Sequence, residues 1–190
     1  MGKKTVAMDM TQGSITRQLI SYSVPLILGN LFQLTYNAVD SIIAGRFIGK
    51  EALAAEGMAS PVMNLVILGI SGICMGAGVL MSEFFGAKHL EKLKREMSTA
   101  VLFGLYFSLA VTGMGIIFTP ALLRLLHVPE ELMKMTAVYL RIIFIGAPFT
   151  YFYNAVSAAL KSVGDSKTPL KFLAFSSILN AVLDLIFIGG

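Results

Sequence analysis

The sequence predicts an all-α, polytopic bundle of membrane helices, on three observations. Charged side chains make up 14% of the 190 residues and hydrophobic ones 56%, against roughly 25% charged in an ordinary soluble domain. The mean hydropathy is +0.77. The charges also cluster, leaving five apolar tracts between them. About 20 apolar residues cross a bilayer, because a helix rises about 1.5 Å per residue through roughly 30 Å of hydrocarbon. Lipid offers exposed backbone groups no partner, so such tracts fold as helices.

The helices expected are residues 17–45, 53–82, 97–118, 135–160 and 170–190. In the first, the apolar run Leu19–Ala44 exceeds the 7–15 residues of a secretory h-region and contains Asp40, so it reads as a retained helix. Asn30, Gln33, Asn37, Asp40 and Ala44 follow a spacing that puts them on one helix face. Leu28, Leu31, Phe32, Val39 and Ile42 lie on the other side. A polar stripe in a membrane helix turns to protein or to water. An ionised Asp near the bilayer centre costs about 2.5–3.5 kcal/mol, so its retention points to function.

In the second helix Gly69, Gly72 and Gly76 form a small-residue face suited to close helix packing. Glu56 and Glu83 stand near its two ends, and each reads as reaching a membrane interface. The third helix rests on its apolar run alone. The fourth carries Tyr139, Gly146, Thr150, Tyr153 and Ser157 along one side. The fifth repeats the polar stripe with Ser177, Asn180 and Asp184, and is still apolar at Gly190. That unfinished last span predicts a longer parent protein. Pro25, Pro61 and Pro148 lie inside spans and predict kinks. Between the spans, Arg46–Glu51, Gly86–Glu96, Thr119–Lys134 and Lys161–Pro169 supply turn formers and charges.

Orientation follows from lysine and arginine. The amino-terminal segment and the second and fourth linkers hold ten of them, and the other side holds five. By the positive-inside rule the amino terminus is cytoplasmic. The net charge of +4 sits in these short linkers, so no nucleic-acid partner is expected. One cysteine, Cys74, and two histidines, His89 and His127, provide neither a disulfide framework nor a metal cluster. No nucleophile–base pair and no phosphate-binding loop is present, so no enzymatic activity is expected.

With that orientation helices one and five run outward and helix four runs inward. Asp40 and Asp184 lie well along the first two, and Tyr139 near the start of the third. Asp40, Asn180, Asp184 and Tyr139 are therefore expected to converge in the outer half of the membrane. Two neighbouring carboxylates in low dielectric repel, and a proton or a bound cation relieves the repulsion. The plain alternative is that each acid only hydrogen-bonds between helices. The same stripes make Asn30, Gln33, Tyr36, Asn37, Thr150, Tyr153 and Ser177 the expected lining of a cavity.

Several segments carry a family resemblance. Pro25 through Gly49, with Asn37-Ala38-Val39-Asp40 and Ala44-Gly45-Arg46-Phe47, resembles the first helix of the multidrug and toxic compound extrusion (MATE) transporters. Ala59-Ser60-Pro61, Phe85-Gly86-Ala87, Tyr139-Leu140-Arg141-Ile142, Gly164-Asp165-Ser166-Lys167-Thr168-Pro169 and Leu179-Asn180-Ala181-Val182-Leu183-Asp184 follow in family order. The resemblance implies a twelve-helix antiporter of two six-helix lobes in the cell membrane. Residues 1–190 would be five transmembrane helices of the amino-terminal six-helix lobe, without helix six or the second lobe.

Such a protein would export amphipathic or cationic small molecules in exchange for H+ or Na+. Its partners would be the substrate, membrane lipid and the second lobe, with no cofactor beyond the coupling ion. The family's ion site maps onto Asp40, Asn180 and Asp184, with Tyr139 nearby and Na+ as one possible occupant, and Pro25 onto a bending point. Glu83, Leu185 and Glu56 depart from the family pattern, where a glutamine, a proline and an apolar residue are usual. They leave the substrate open. Two rivals are a lipid-linked oligosaccharide flippase and a non-transporting membrane fragment. The flippase calls for a cationic cavity, whereas the stripes carry carboxylates and amides.

Overall fold

Glycine, proline and three tight turns divide the chain into five long helices. In a computed structural model the residues described are 14–188, without the side chains of Asp184, Leu185, Phe187 and Ile188. The helices are α1 (Ile15–Ile43), α2 (Lys50–Gly86), α3 (Leu90–Leu125), α4 (Glu130–Ser162) and α5 (Lys167–Ile188). α1 continues as a π-helical stretch, Ala44–Ile48. Gly49 then takes φ +120, a left-handed value that costs glycine little, and α2 starts on its far side. Residues 87–89, 126–129 and 163–166 make the remaining turns. Acids open α2, α3 and α4, and a base closes α3 and α4, each charge opposing the helix dipole.

The helices outrun the apolar tracts. α2, α3 and α4 hold 37, 36 and 33 residues, about 50–55 Å each, well beyond the hydrocarbon thickness. Much of the sequence expected as linker, Leu90–Glu96, Thr119–Leu125 and Glu130–Lys134, is therefore helical. A helix satisfies its own backbone groups and needs no apolar side chains to continue into the polar interface. Among the described residues α2, α3 and α4 are long and apolar enough to cross a membrane. α1 falls short by hydropathy because its polar stripe interrupts the apolar run, and the end of α5 is incompletely described.

α4 packs between α2 and α3, which also touch, and α1 pairs with α5 alongside. Two clusters fill the three-helix unit. Ala59, Leu123, Val128, Leu140 and Phe144 form one; Ile70, Cys74, Ala147, Tyr151 and Ala155 form the other. Close approach happens on α3. A methyl group built at Gly104 would enter the ring of Tyr151, and one at Gly115 the ring of Phe144. The glycine face expected on α2 does not do this: Gly69, Gly72 and Gly76 have nothing within 4 Å of a built Cβ. Leu65, Leu68, Tyr106, Ile117 and Phe149 lie exposed on the outside of the bundle. Apolar cover of this extent is what lipid contact requires and water does not tolerate.

α1 and α5 run parallel, and a Cβ built at Gly29 would lie 3.7 Å from both Leu170 and Leu173. The α4–α5 turn is fixed by Asp165, whose Oδ1 accepts from the backbone N–H of Lys167 at 3.1 Å and of Thr168 at 3.0 Å. This is helix capping. Asp165→Ala should cost about 1 kcal/mol, read as a lower melting temperature of the purified protein; an unchanged melt would show that the cap is idle.

Candidate functional site

The bundle has two polar regions, one toward each end. Call the end where α1, α3 and α5 begin the first face, and the end where α2 and α4 begin the second. Near the second face the reversal through the π-helical stretch and Gly49 folds the start of α2 back on the end of α1. Ser41 Oγ thereby donates to Glu56 Oε1 at 3.1 Å. α4 adds Tyr139, which is half-buried. Glu56, Asp40 and Tyr36 lie within electrostatic reach of its hydroxyl, so Glu56 is a second carboxylate in the region of Asp40. Glu56, expected at a membrane interface, instead turns inward to Ser41.

α5 reaches the same level. Asp184 lies eleven residues beyond Leu173, as Asp40 lies eleven beyond Gly29. In a parallel pair this register sets the backbone of Asp184 level with Asp40, and that of Asn180 level with Tyr36. α5 also stays close enough to touch the π-helical stretch. Asn180 Oδ1 is buried and has no hydrogen-bond partner among the described residues. The Asp184 side chain, expected as a ligand, lies outside the described residues, as does any contact it makes. No three His, Cys, Asp or Glu gather as a metal group among the described residues.

Toward the first face a cleft opens between the α1–α5 pair and the α2–α4 wall. It has two continuous chambers of about 420 Å³ and about 350 Å³. Leu26, Ser71, Asn154, Ser157 and Lys161 line both. Of the expected lining, Asn30, Gln33 and Tyr153 are present, beside Pro25. Tyr36 is half-buried and Asn37 exposed, neither of them in the cleft. Thr150 and Ser177 turn back on their own helices, donating to Gly146 O at 3.2 Å and Leu173 O at 2.9 Å. Short hydroxyl side chains in a helix find the preceding carbonyl readily.

No Asp or Glu among the described residues lines either chamber, which departs from the expectation of a cavity carrying carboxylates. Asp40 and Glu56 lie toward the second face, while Glu83, Glu91, Glu96 and Asp165 lie at the first face outside the cleft lining. Ser71, Asn154 and Lys161 are cleft residues that the sequence reading did not select. Lys161, expected in a linker, lies in the last turn of α4, and Tyr22 of α1 donates to its carbonyl at 3.2 Å.

Long apolar helices enclosing a polar cleft, with Asp40 and Glu56 toward the other end, define a multi-pass membrane protein of transporter type. The chain belongs to the MatE family, whose model matches residues 25–186. It is 35% identical over 96% of its length to the probable multidrug resistance protein YpnP of Bacillus subtilis, of which it covers 41%. It is 26% identical over 94% of its length to the multidrug export protein MepA of Staphylococcus saprophyticus, covering 40%. A solved MOP superfamily transporter from Pyrococcus furiosus superposes with TM-score 0.89 at 26% identity, over 98% of this chain and 41% of that one. The chain thus spans about two fifths of the length of these relatives.

Proposed function

We propose that this chain forms most of the amino-terminal six-helix lobe of an antiporter that exports amphipathic small molecules in exchange for H+ or Na+. The first face is cytoplasmic, and the cleft there receives cargo. Asp40, Asn180, Asp184 and Tyr139 form the coupling centre toward the second face, with Glu56 beside it. A second lobe completes the pathway, and Pro25, which lines the cleft, lets α1 bend between loaded and unloaded states.

The observation that supports this best is the placement of the two regions on one helix. Gln33 of the cleft and Asp40 are seven residues apart on α1, roughly 10 Å along its axis. An ion or proton arriving at Asp40 alters the charge at one end of a helix whose other part lines the cargo chamber, which is the differential interaction that coupling requires. A charge here costs more in low dielectric than in water, so loading and unloading have large consequences.

The test is transport by the full-length protein in proteoliposomes preloaded with an amphipathic dye. An imposed H+ or Na+ gradient directed against dye movement should raise its rate by at least about tenfold, an energy of about 1.4 kcal/mol. A rate indifferent to both gradients overturns the antiport reading.

A further inference from the structure

We propose that the cleft binds the anionic headgroup of an amphipathic cargo, a phosphate-type group on an apolar body, with Lys161 as its counter-charge. The inference rests on reading the cleft as the cargo site and names the cargo's chemistry.

Charge comes first. Lys161 lines both chambers, and neither holds an acidic side chain among the described residues. Among the described residues the ion pair present is Lys94–Glu91, on the exposed start of α3, and no carboxylate pairs with Lys161. The nearest acid in sequence, Asp165, spends Oδ1 on the start of α5. Its buried Oδ2 has no hydrogen-bond partner, and Asp165 lines neither chamber. A half-buried ammonium without a counter-charge is costly, and an entering anion supplies one. A cationic cargo would meet like charge here.

Donors come second. Ser71 and Ser157 line both chambers, and no hydrogen bond engages either hydroxyl among the described residues. Asn30, Gln33 and Tyr153 add polar groups in the smaller chamber. Leu26 and Met75, with Val79, give the larger chamber an apolar wall. An ammonium with free hydroxyls on one side and aliphatic side chains on the other suits a charged head joined to an apolar body. A lysine that merely marks membrane orientation needs neither the hydroxyls nor the chamber.

Two probes of equal tail length separate these readings: octyl phosphate and octyltrimethylammonium. Binding is measured by equilibrium dialysis on the full-length protein in phosphatidylcholine nanodiscs, with empty nanodiscs as the blank. Octyl phosphate should saturate a site, and Lys161→Met should weaken it at least about tenfold, as expected for losing one charge-assisted contact. Lys161→Arg should hold affinity within about threefold, because the charge remains. Equal binding of octyl phosphate by the wild type and Lys161→Met overturns the proposal. So does wild-type preference for the trimethylammonium probe, a comparison that needs no variant to fold.

The head group could belong to a lipid or to an exported solute. Replacing a third of the lipid with phosphatidylglycerol distinguishes them: displacement of octyl phosphate assigns the site to lipid, and persistence assigns it to solute. Lys161-dependent binding without gradient-driven transport would sink the antiport reading and leave this site standing. Gradient-driven transport with the cation preferred would do the reverse.

Discussion

Asp40→Asn should reduce gradient-driven efflux by about 10- to 100-fold while leaving the amount of folded protein near that of the wild type. The magnitude is that of one charge-assisted interaction, about 1.5–3 kcal/mol, at about 1.4 kcal/mol per tenfold. Asparagine keeps the size and much of the hydrogen-bonding capacity of aspartate but neither titrates nor balances a cation. Gradient-independent leak should not change. Efflux at the wild-type rate from Asp40→Asn would remove Asp40 from the coupling centre.

Glu56 makes that experiment more informative. Glu56→Gln keeps an oxygen for the Ser41 hydroxyl, bonded at 3.1 Å in the native protein, and removes only the charge. If Glu56 and Asp40 act on one loading step through Tyr139, which both charges reach, their effects are not additive. The double variant should then be no slower than Asp40→Asn. Independent sites would multiply their losses instead. A double variant clearly slower than the worse single one would separate Glu56 from the coupling centre.

The polar face of α1 was legible because a 3.6-residue period projects directly onto a helix, and Asn30, Gln33 and Asp40 needed only their spacing. Period gives a face but not what the face meets. Gly69, Gly72 and Gly76 share a face of α2 that has nothing within 4 Å of a built Cβ, while Gly104 and Gly115, the tight contacts, sit on α3. Their importance comes from aromatic side chains on another helix, which no local pattern reports. Glu56 was hidden in the same way. Its partner Ser41 is fifteen residues away, and only the reversal at Gly49 brings the two together. Lys161 reads from sequence only as a topology-setting charge, and its place in the cleft lining depends on where α1 and α5 stand relative to α4.

The largest structural effect is expected at Gly104. Tyr151 is 2% exposed, packed with Ile70, Cys74, Ala147 and Ala155, and its hydroxyl donates to Ala100 O at 2.9 Å. The ring reaches that carbonyl only by crossing the α3 backbone where Gly104 has no side chain. A Cβ there would take the ring's space, so Gly104→Ala must either push the helices apart or expel the tyrosine. Overpacking costs about 1–3 kcal/mol, and the lost hydrogen bond about 1 kcal/mol more with its carbonyl left buried. Gly113→Ala is the control, an exposed position on the same helix with nothing within 4 Å of a built Cβ. It should stabilise slightly, by about 0.5–1 kcal/mol, because alanine favours the helix. Thermal unfolding of the detergent-solubilised protein would therefore move in opposite directions for two identical substitutions nine residues apart. Gly104→Ala melting like Gly113→Ala would mean that Tyr151 does not occupy that crossing. Adding Tyr151→Ala to Gly104→Ala should then cost less than the sum of the two, since the added methyl would have lost the ring it collides with.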